Sequence, residues 1–403
     1  MTKIRNAVKI ALIFSLCCMF ALSGCTVRQE NSLSSETGST VSDTPEQEDT
    51  ISGQSSEPDT SEDASEPSSE SSIPATNPSS VASIEQTAVS YDETMEHQIL
   101  VCDIKNQSIV QMDLNRCDGD FSNLTSEDCV VWEWSANEDP NCHFVLGYGL
   151  DDAKLRYSAY WERDVIIASS SNGWAGVIDY EARTILWEAQ FDNCPHSVEM
   201  LPNGDLILAG SGGDEWETKG ELVYIPLSKG QMTCSDVLEV PSCHGVQWDP
   251  QREILWVLDY YGVIGVRANE DGTLSKIDGV GAEFGAMDQS GHDLSPVYGE
   301  PGKYWVTAHR KVWQFNAETS ELTSVYDRSL TYSKQDVKGI AYFADGTMVS
   351  CVGGVGINLH ASWSTKALYV TTFNTAGEAD TAVALFDDRE FYKVRTCSKD
   401  YQM

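Results

Sequence analysis

Pro195-His196-Ser197-Val198-Glu199-Met200-Leu201-Pro202-Asn203-Gly204-Asp205 runs straight into the apolar stretch Leu206-Ile207-Leu208-Ala209. The order is a His, an aliphatic two residues on, a turn, then a strand-like run. It returns in Cys243-His244-Gly245-Val246-Gln247-Trp248-Asp249-Pro250, ahead of Ile254-Leu255-Trp256-Val257-Leu258. It returns again in Gly291-His292-Asp293-Leu294-Ser295-Pro296, ahead of Tyr304-Trp305-Val306-Thr307. A fourth copy, Val337-Lys338-Gly339-Ile340-Ala341-Tyr342, carries Lys338 in the His position. A fifth, Leu155-Arg156-Tyr157-Ser158-Ala159-Tyr160, carries Arg156 ahead of Val165-Ile166-Ile167-Ala168. The spacings of about 40, 48, 48 and 46 residues match the period of a four-stranded propeller blade. One blade leaves both faces uncovered, so repetition predicts an all-β ring, a β-propeller, in which neighbours cover one another.

Short β-branched and aromatic runs bounded by Gly, Asn, Asp or Pro dominate residues 96–403, and no window holds a long helical period. Five copies are visible. The sixth blade is expected from His97 to Trp134 together with C-terminal strands near Ala367–Phe373 and Ala382–Val394, which joins the two ends of the domain. Six blades are predicted, with seven as the alternative.

The opening strands Ile99-Leu100-Val101-Cys102-Asp103 and Ile109-Val110-Gln111-Met112-Asp113 resemble an uncharacterised family of bacterial six-bladed propeller lipoproteins. What the resemblance implies is fold, not activity.

Ahead of the repeats, Lys3, Arg5 and Lys9 precede an apolar run from Ile10 to Leu22. Its dozen or so residues fall short of the roughly 20 that span a bilayer, so residues 1–25 read as a secretion signal. Leu22-Ser23-Gly24-Cys25 resembles the lipobox of bacterial lipoproteins, which implies cleavage before Cys25 and attachment of diacylglycerol to its thiol. The expected location is the outer face of the cytoplasmic membrane, held by lipid. Residues 26–95 are rich in Ser, Thr, Glu, Asp and Pro and poor in large apolar side chains, which predicts a disordered, charge-extended linker.

A formal charge of -36 argues against nucleic acid and anionic headgroups as partners, because both need a basic footprint. A monomer is expected. Beyond Cys25 the cysteines are Cys102, Cys117, Cys129, Cys142, Cys194, Cys234, Cys243, Cys351 and Cys397. Their number is odd and their spacing unpaired, which leaves buried thiols and disulfides both open. Cys194 and Cys243 read as inner-strand packing, not as metal ligands.

The first strand of each blade lines a propeller's axis, so Arg156, His196, His244, His292 and Lys338 are predicted to converge in one funnel. Loops on that face should add Trp174, Trp216, Tyr260, Tyr261 and Arg310 to its rim. Aromatic faces suit the C–H faces of sugar rings, and the cations suit acidic or hydroxyl substituents. Three readings follow. The funnel captures an extracellular ligand, foremost a carbohydrate. Alternatively, His196, His244 and His292 hold one divalent ion for a metal-assisted polysaccharide lyase or hydrolase, an arrangement similar to that of propeller lyases, with Arg156 and Lys338 at the substrate. Or the ring is a scaffold for a surface protein, with an idle funnel. The sequence leaves open whether the protein is an enzyme. It contains no phosphate-binding Gly loop, nucleophile elbow or His-Glu-x-x-His run.

Overall fold

The computed structural model describes residues 96–147, 149–213, 218–285, 288–325 and 336–401. The expected signal segment, Cys25, the linker and Trp216 lie outside the described residues. Among the described residues the folded unit holds six antiparallel four-stranded sheets and only short 3-10 turns besides. No helix among the described residues is long and apolar enough to cross a membrane.

In chain order the strands are β1 (Gln98–Asp103), β2 (Ser108–Asp113) and β3 (Val130–Ser135), then β4 (Leu150–Ser158), β5 (Arg163–Ser170), β6 (Trp174–Asp179) and β7 (Thr184–Gln190). Next come β8 (Pro195–Met200), β9 (Leu206–Gly210), β10 (Glu221–Ile225) and β11 (Asp236–Glu239), then β12 (Gly245–Asp249), β13 (Ile254–Leu258), β14 (Gly262–Ala268) and β15 (Leu274–Glu283). The remainder are β16 (Gly291–Pro296), β17 (Lys303–Ala308), β18 (Val312–Asn316) and β19 (Glu321–Ser324), followed by β20 (Val337–Tyr342), β21 (Met348–Val352), β22 (Ala367–Phe373) and β23 (Ala379–Leu385), with β24 (Phe391–Thr396) last.

Five sheets are consecutive in sequence, and the sixth has the order β24-β1-β2-β3. The ring is therefore a six-bladed propeller closed by its two termini, as the repeats predict. One assignment is corrected: Ala367–Phe373 is β22 of the fifth consecutive sheet, and only β24 crosses to pair with β1, through Ile99–Thr396, Leu100–Arg395 and Val101–Val394.

The second strand of each consecutive blade is an apolar run, not an alternation, because neighbouring blades cover both of its faces. Every residue of β9 and of β13 is buried. Val165 and Ile167 pack with Val198, Met200 and Leu208 across one such interface, and Trp134, Leu150 and Trp174 pack across another.

At the axis the first strands carry charge. Arg395 forks onto Asp293 at 2.7 and 2.6 Å and places Nε 2.8 Å from Asp152. Lys393 is fully buried and donates to the carbonyls of His196 (2.9 Å) and His244 (2.8 Å). Lys154 donates to the Val246 carbonyl at 2.7 Å and reaches Glu199 at 3.4 Å. Between Lys154, Arg156, Gln247, Tyr298 and Arg395 the remaining space is only about 10 Å³, barely one water. The axis is plugged by paired charge.

Candidate funnel site

A repeated backbone device aims the side chains above this plug. Cys194, Ser242, Ser290 and Asp336 all adopt positive φ, at 54°, 50°, 78° and 61°. The carbonyls of Cys194, Ser290 and Asp336 accept a backbone N–H from the end of the second strand, namely Ser211, His309 and Gly353. A register shift follows in β4, β8, β16 and β20. Such bulges turn two successive residues off the regular alternation. The residues placed at one level are Asp151, His196, His244, His292, Lys338 and Tyr392, which line a cavity of about 380 Å³.

This corrects the place of Arg156. The residue that meets His196 from the preceding blade is Asp151, whose Oδ1 lies 3.3 Å from Nδ1. Arg156 stands five residues further along β4, roughly 16 Å at strand rise. There it forks onto Glu199 (2.7 and 2.9 Å) and packs under the Tyr401 ring at 4.8 Å. It belongs to the axial plug.

His196, His244, His292 and Lys338 do converge. The rings of His196 and His244 stack at 4.3 Å, and His244 meets His292 edge-on at 5.8 Å. Lys338 Nζ lies 3.0 Å from His292 Nε2. Burial, and then the neighbouring positive charges, hold the His244 and His292 imidazoles well below the ordinary His range, so both are neutral. Burial opposes protonation of His196 too, but Asp151 and Cys194 override it and raise His196 to about 9. Burial lowers Lys338 to about 8 against the pull of Asp336.

The three imidazoles do not make the expected three-ligand set. His244 spends Nδ1 on the Ser242 carbonyl at 2.8 Å, and stacked rings aim their nitrogens poorly at one point. Among the described residues the set with ligand atoms within 4.8 Å of one another is His292, His309 and Asp336. His309 Nδ1 is 2.9 Å from Asp336 Oδ1 and Lys338 Nζ stands beside His292, so an ion held by this set would compete with both contacts.

Outward from this level the funnel widens to a cavity of about 900 Å³. Tyr260 and Arg310 line it as predicted. Tyr261 stands edge-on to Tyr260 but outside the lining. Trp174 is not on the rim. It is buried between blades, stacked on Trp134 at 6.2 Å, with its indole N–H donating to Glu188 at 2.9 Å. The funnel's aromatic wall is instead Trp363, edge-on to Tyr392 at 5.0 Å. Sequence reading missed Trp363, Asp151 and Asp336, while His309 belongs with Arg310 to the loop expected on the rim. The available signal for Trp363 was a lone indole in the long polar loop between β21 and β22.

No curated protein matches the chain. The chain is similar to many solved structures, two of which follow. One is a functionally unknown protein from Desulfotomaculum acetoxidans DSM 771, at 11% identity over 71% of this chain and 79% of that one, TM-score 0.43. The other is a protein of unknown function from Bacteroides caccae, at 12% identity over 74% of this chain and 97% of that one, TM-score 0.45. Residues 123–353, more than half of the chain, match the family of unknown function DUF6528, and the chain belongs to that family.

Proposed function

We propose that the funnel binds an acidic carbohydrate outside the cell, with Arg310 and Lys338 taking its carboxylate and Trp363 and Tyr260 the sugar faces. One observation carries this reading. On a chain of net charge -36, the wide part of the funnel is lined by two cationic side chains, Arg310 and Lys338, against a single carboxylate, Asp336. A local cationic surface on an acidic protein focuses anions, and aromatic walls add shape. In this reading the signal segment and Cys25 place the domain on the outer face of the membrane.

The test is titration calorimetry with uronate-containing and neutral oligosaccharides. Binding of the uronate forms alone, weakened by salt and lost in Arg310→Ala and Lys338→Met, supports the reading. Equal binding of neutral sugars, or affinity unchanged in both variants, refutes it. A second reading rests on His292, His309 and Asp336, a two-His, one-carboxylate donor set for a divalent ion in a metal-assisted lyase or hydrolase. Elemental analysis of the purified protein, with the change in thermal stability on chelation, separates the two.

A further inference from the structure

We propose that Cys194, His196 and Asp151 form a nucleophilic triad on the funnel floor that transfers the acyl group of a carboxylic ester to water.

The geometry is that of a thiol, a base and an acid that pairs with the base by charge. Cys194 Sγ lies 3.7 Å from His196 Nε2, and Asp151 Oδ1 lies 3.3 Å from Nδ1 on the other side of the ring. Asp151 is itself fixed, because its second oxygen accepts the Ser171 backbone N–H. The positive φ of Cys194 lets a residue and the one two places on meet at the same cavity, whose volume is about 380 Å³. All three side chains line it.

The other blades show that this is more than the repeat. At the equivalent pair, Ser242 and His244, the imidazole bonds a backbone carbonyl through Nδ1, with no acid behind it. Among the described cysteines, Cys194 is the one whose sulfur faces an imidazole. Burial raises its pKa, but the His196 hydrogen bond and charge outweigh burial and bring it below the ordinary thiol value. Cys234, the exposed thiol, is shifted up by desolvation. The charged and titratable groups facing the pair are Asp151 from β4, His244 just ahead of β12, His292 from β16, Lys338 from β20 and Tyr392 from β24.

The step balances without a further reagent. The thiolate attacks the ester carbonyl carbon, a C–S bond forms, and the carbonyl electron pair moves to oxygen, towards the Lys338 amine and the Ser211 hydroxyl on the same cavity wall. Collapse breaks the C–O bond, and His196 gives its proton to the departing alkoxide. The neutral His196 then takes a proton from water, which hydrolyses the thioester to a carboxylic acid and restores the thiolate–imidazolium pair. The proposal does not depend on the ligand being a carbohydrate.

The test incubates the full-length protein with p-nitrophenyl acetate at slightly acidic pH and maps acetylation by peptide mass spectrometry, with Cys234 as internal reference. The expected result is a single-equivalent burst with the acetyl thioester on Cys194, roughly tenfold or more faster than on Cys234. The thioester should then decay to acetate. His196→Asn should slow the burst by roughly a hundredfold, and Asp151→Asn by less. Far-ultraviolet circular dichroism checks that the variants fold. Equal acetylation of Cys194 and Cys234 in the unaltered protein overturns the proposal without any variant, as does an unchanged burst in folded His196→Asn.

Discussion

Arg395→Met tests whether the axial charges hold the ring closed. Arg395 lies on β24, the strand that seals the propeller, and is 5% exposed. It pairs with Asp293 through both terminal nitrogens and with Asp152 through Nε. Methionine keeps much of the length and bulk but strips the charge. Two fully buried carboxylates then keep one cation each, Lys154 at 3.7 Å from Asp152 and Lys393 at 3.6 Å from Asp293, besides the Ser197 hydroxyl on Asp152 and the Ile340 N–H on Asp293. Removing one partner of a buried ion pair costs about 3–5 kcal/mol. At about 2 °C per kcal/mol for a domain this large, the midpoint of thermal unfolding should fall by roughly 6–10 °C. The pH dependence has a definite sign. Burial would raise the Asp152 pKa, but Arg395, Lys154 and Lys393 outweigh it and hold the carboxyl well below the usual range. In the unaltered protein this group's stabilisation is present above its unfolded pKa of about 3.9 and is lost as pH falls through the lower folded value. In the variant the folded pKa rises, Asp152 takes up a proton in mild acid, and the penalty shrinks. Urea unfolding followed by tryptophan fluorescence at neutral and at mildly acidic pH measures both quantities. A deficit under about 1 kcal/mol at neutral pH, or one that grows on acidification, would refute the reasoning.

Trp174→Ala should cost about 3–5 kcal/mol in the same assay while leaving ligand affinity intact, because the indole is core and not rim. A Cβ on Gly339 would sit 2.9 Å from the Val394 nitrogen and 3.1 Å from Lys393 Cα. Gly339→Ala should therefore destabilise by about 1–3 kcal/mol by pushing β24 outward, and a change within 0.5 kcal/mol would contradict the close approach of β20 and β24. Cys117 and Cys129 bring their sulfurs to 3.6 Å, twelve positions apart. Mild oxidation should cross-link them, with up to roughly 3 kcal/mol of added stability, read by non-reducing peptide mapping and by urea unfolding; persistence of both free thiols would count against that proximity.

The period was legible because buried second strands recur as unbroken apolar runs and first strands open on a polar side chain. Arg156 was misplaced because β4, at nine residues, is longer than the other first strands and offers two charged registers. Asp151, an acid where the other blades carry His, Lys or Tyr, disguised the true one. Shifting the fifth copy back to Asp151 makes its spacing to His196 about 45 residues, closer to the rest of the period. Trp174 begins a strand, and nothing local distinguishes an indole pointing along the rim from one wedged between blades. Only its stacking on Trp134 from the neighbouring sheet decides the matter. The pairing of Cys194 and His196 with Asp151 joins residues one blade apart, beyond any motif of contiguous residues.

The closing sheet also sets the order of events when the chain is made. Its three outer strands emerge first and its innermost strand emerges last, with Arg395 some 295 positions behind its β1 partner Leu100. Until Phe391–Thr396 is released, Asp152 and Asp293 lack the guanidinium that neutralises them, and β1 presents an open edge. A translation product that stops before Phe391 would therefore be a ring with a gap and an exposed strand, a ready substrate for proteases. The closing strand thus acts as a proofreading signature, since only a chain read through Phe391–Thr396 can lock.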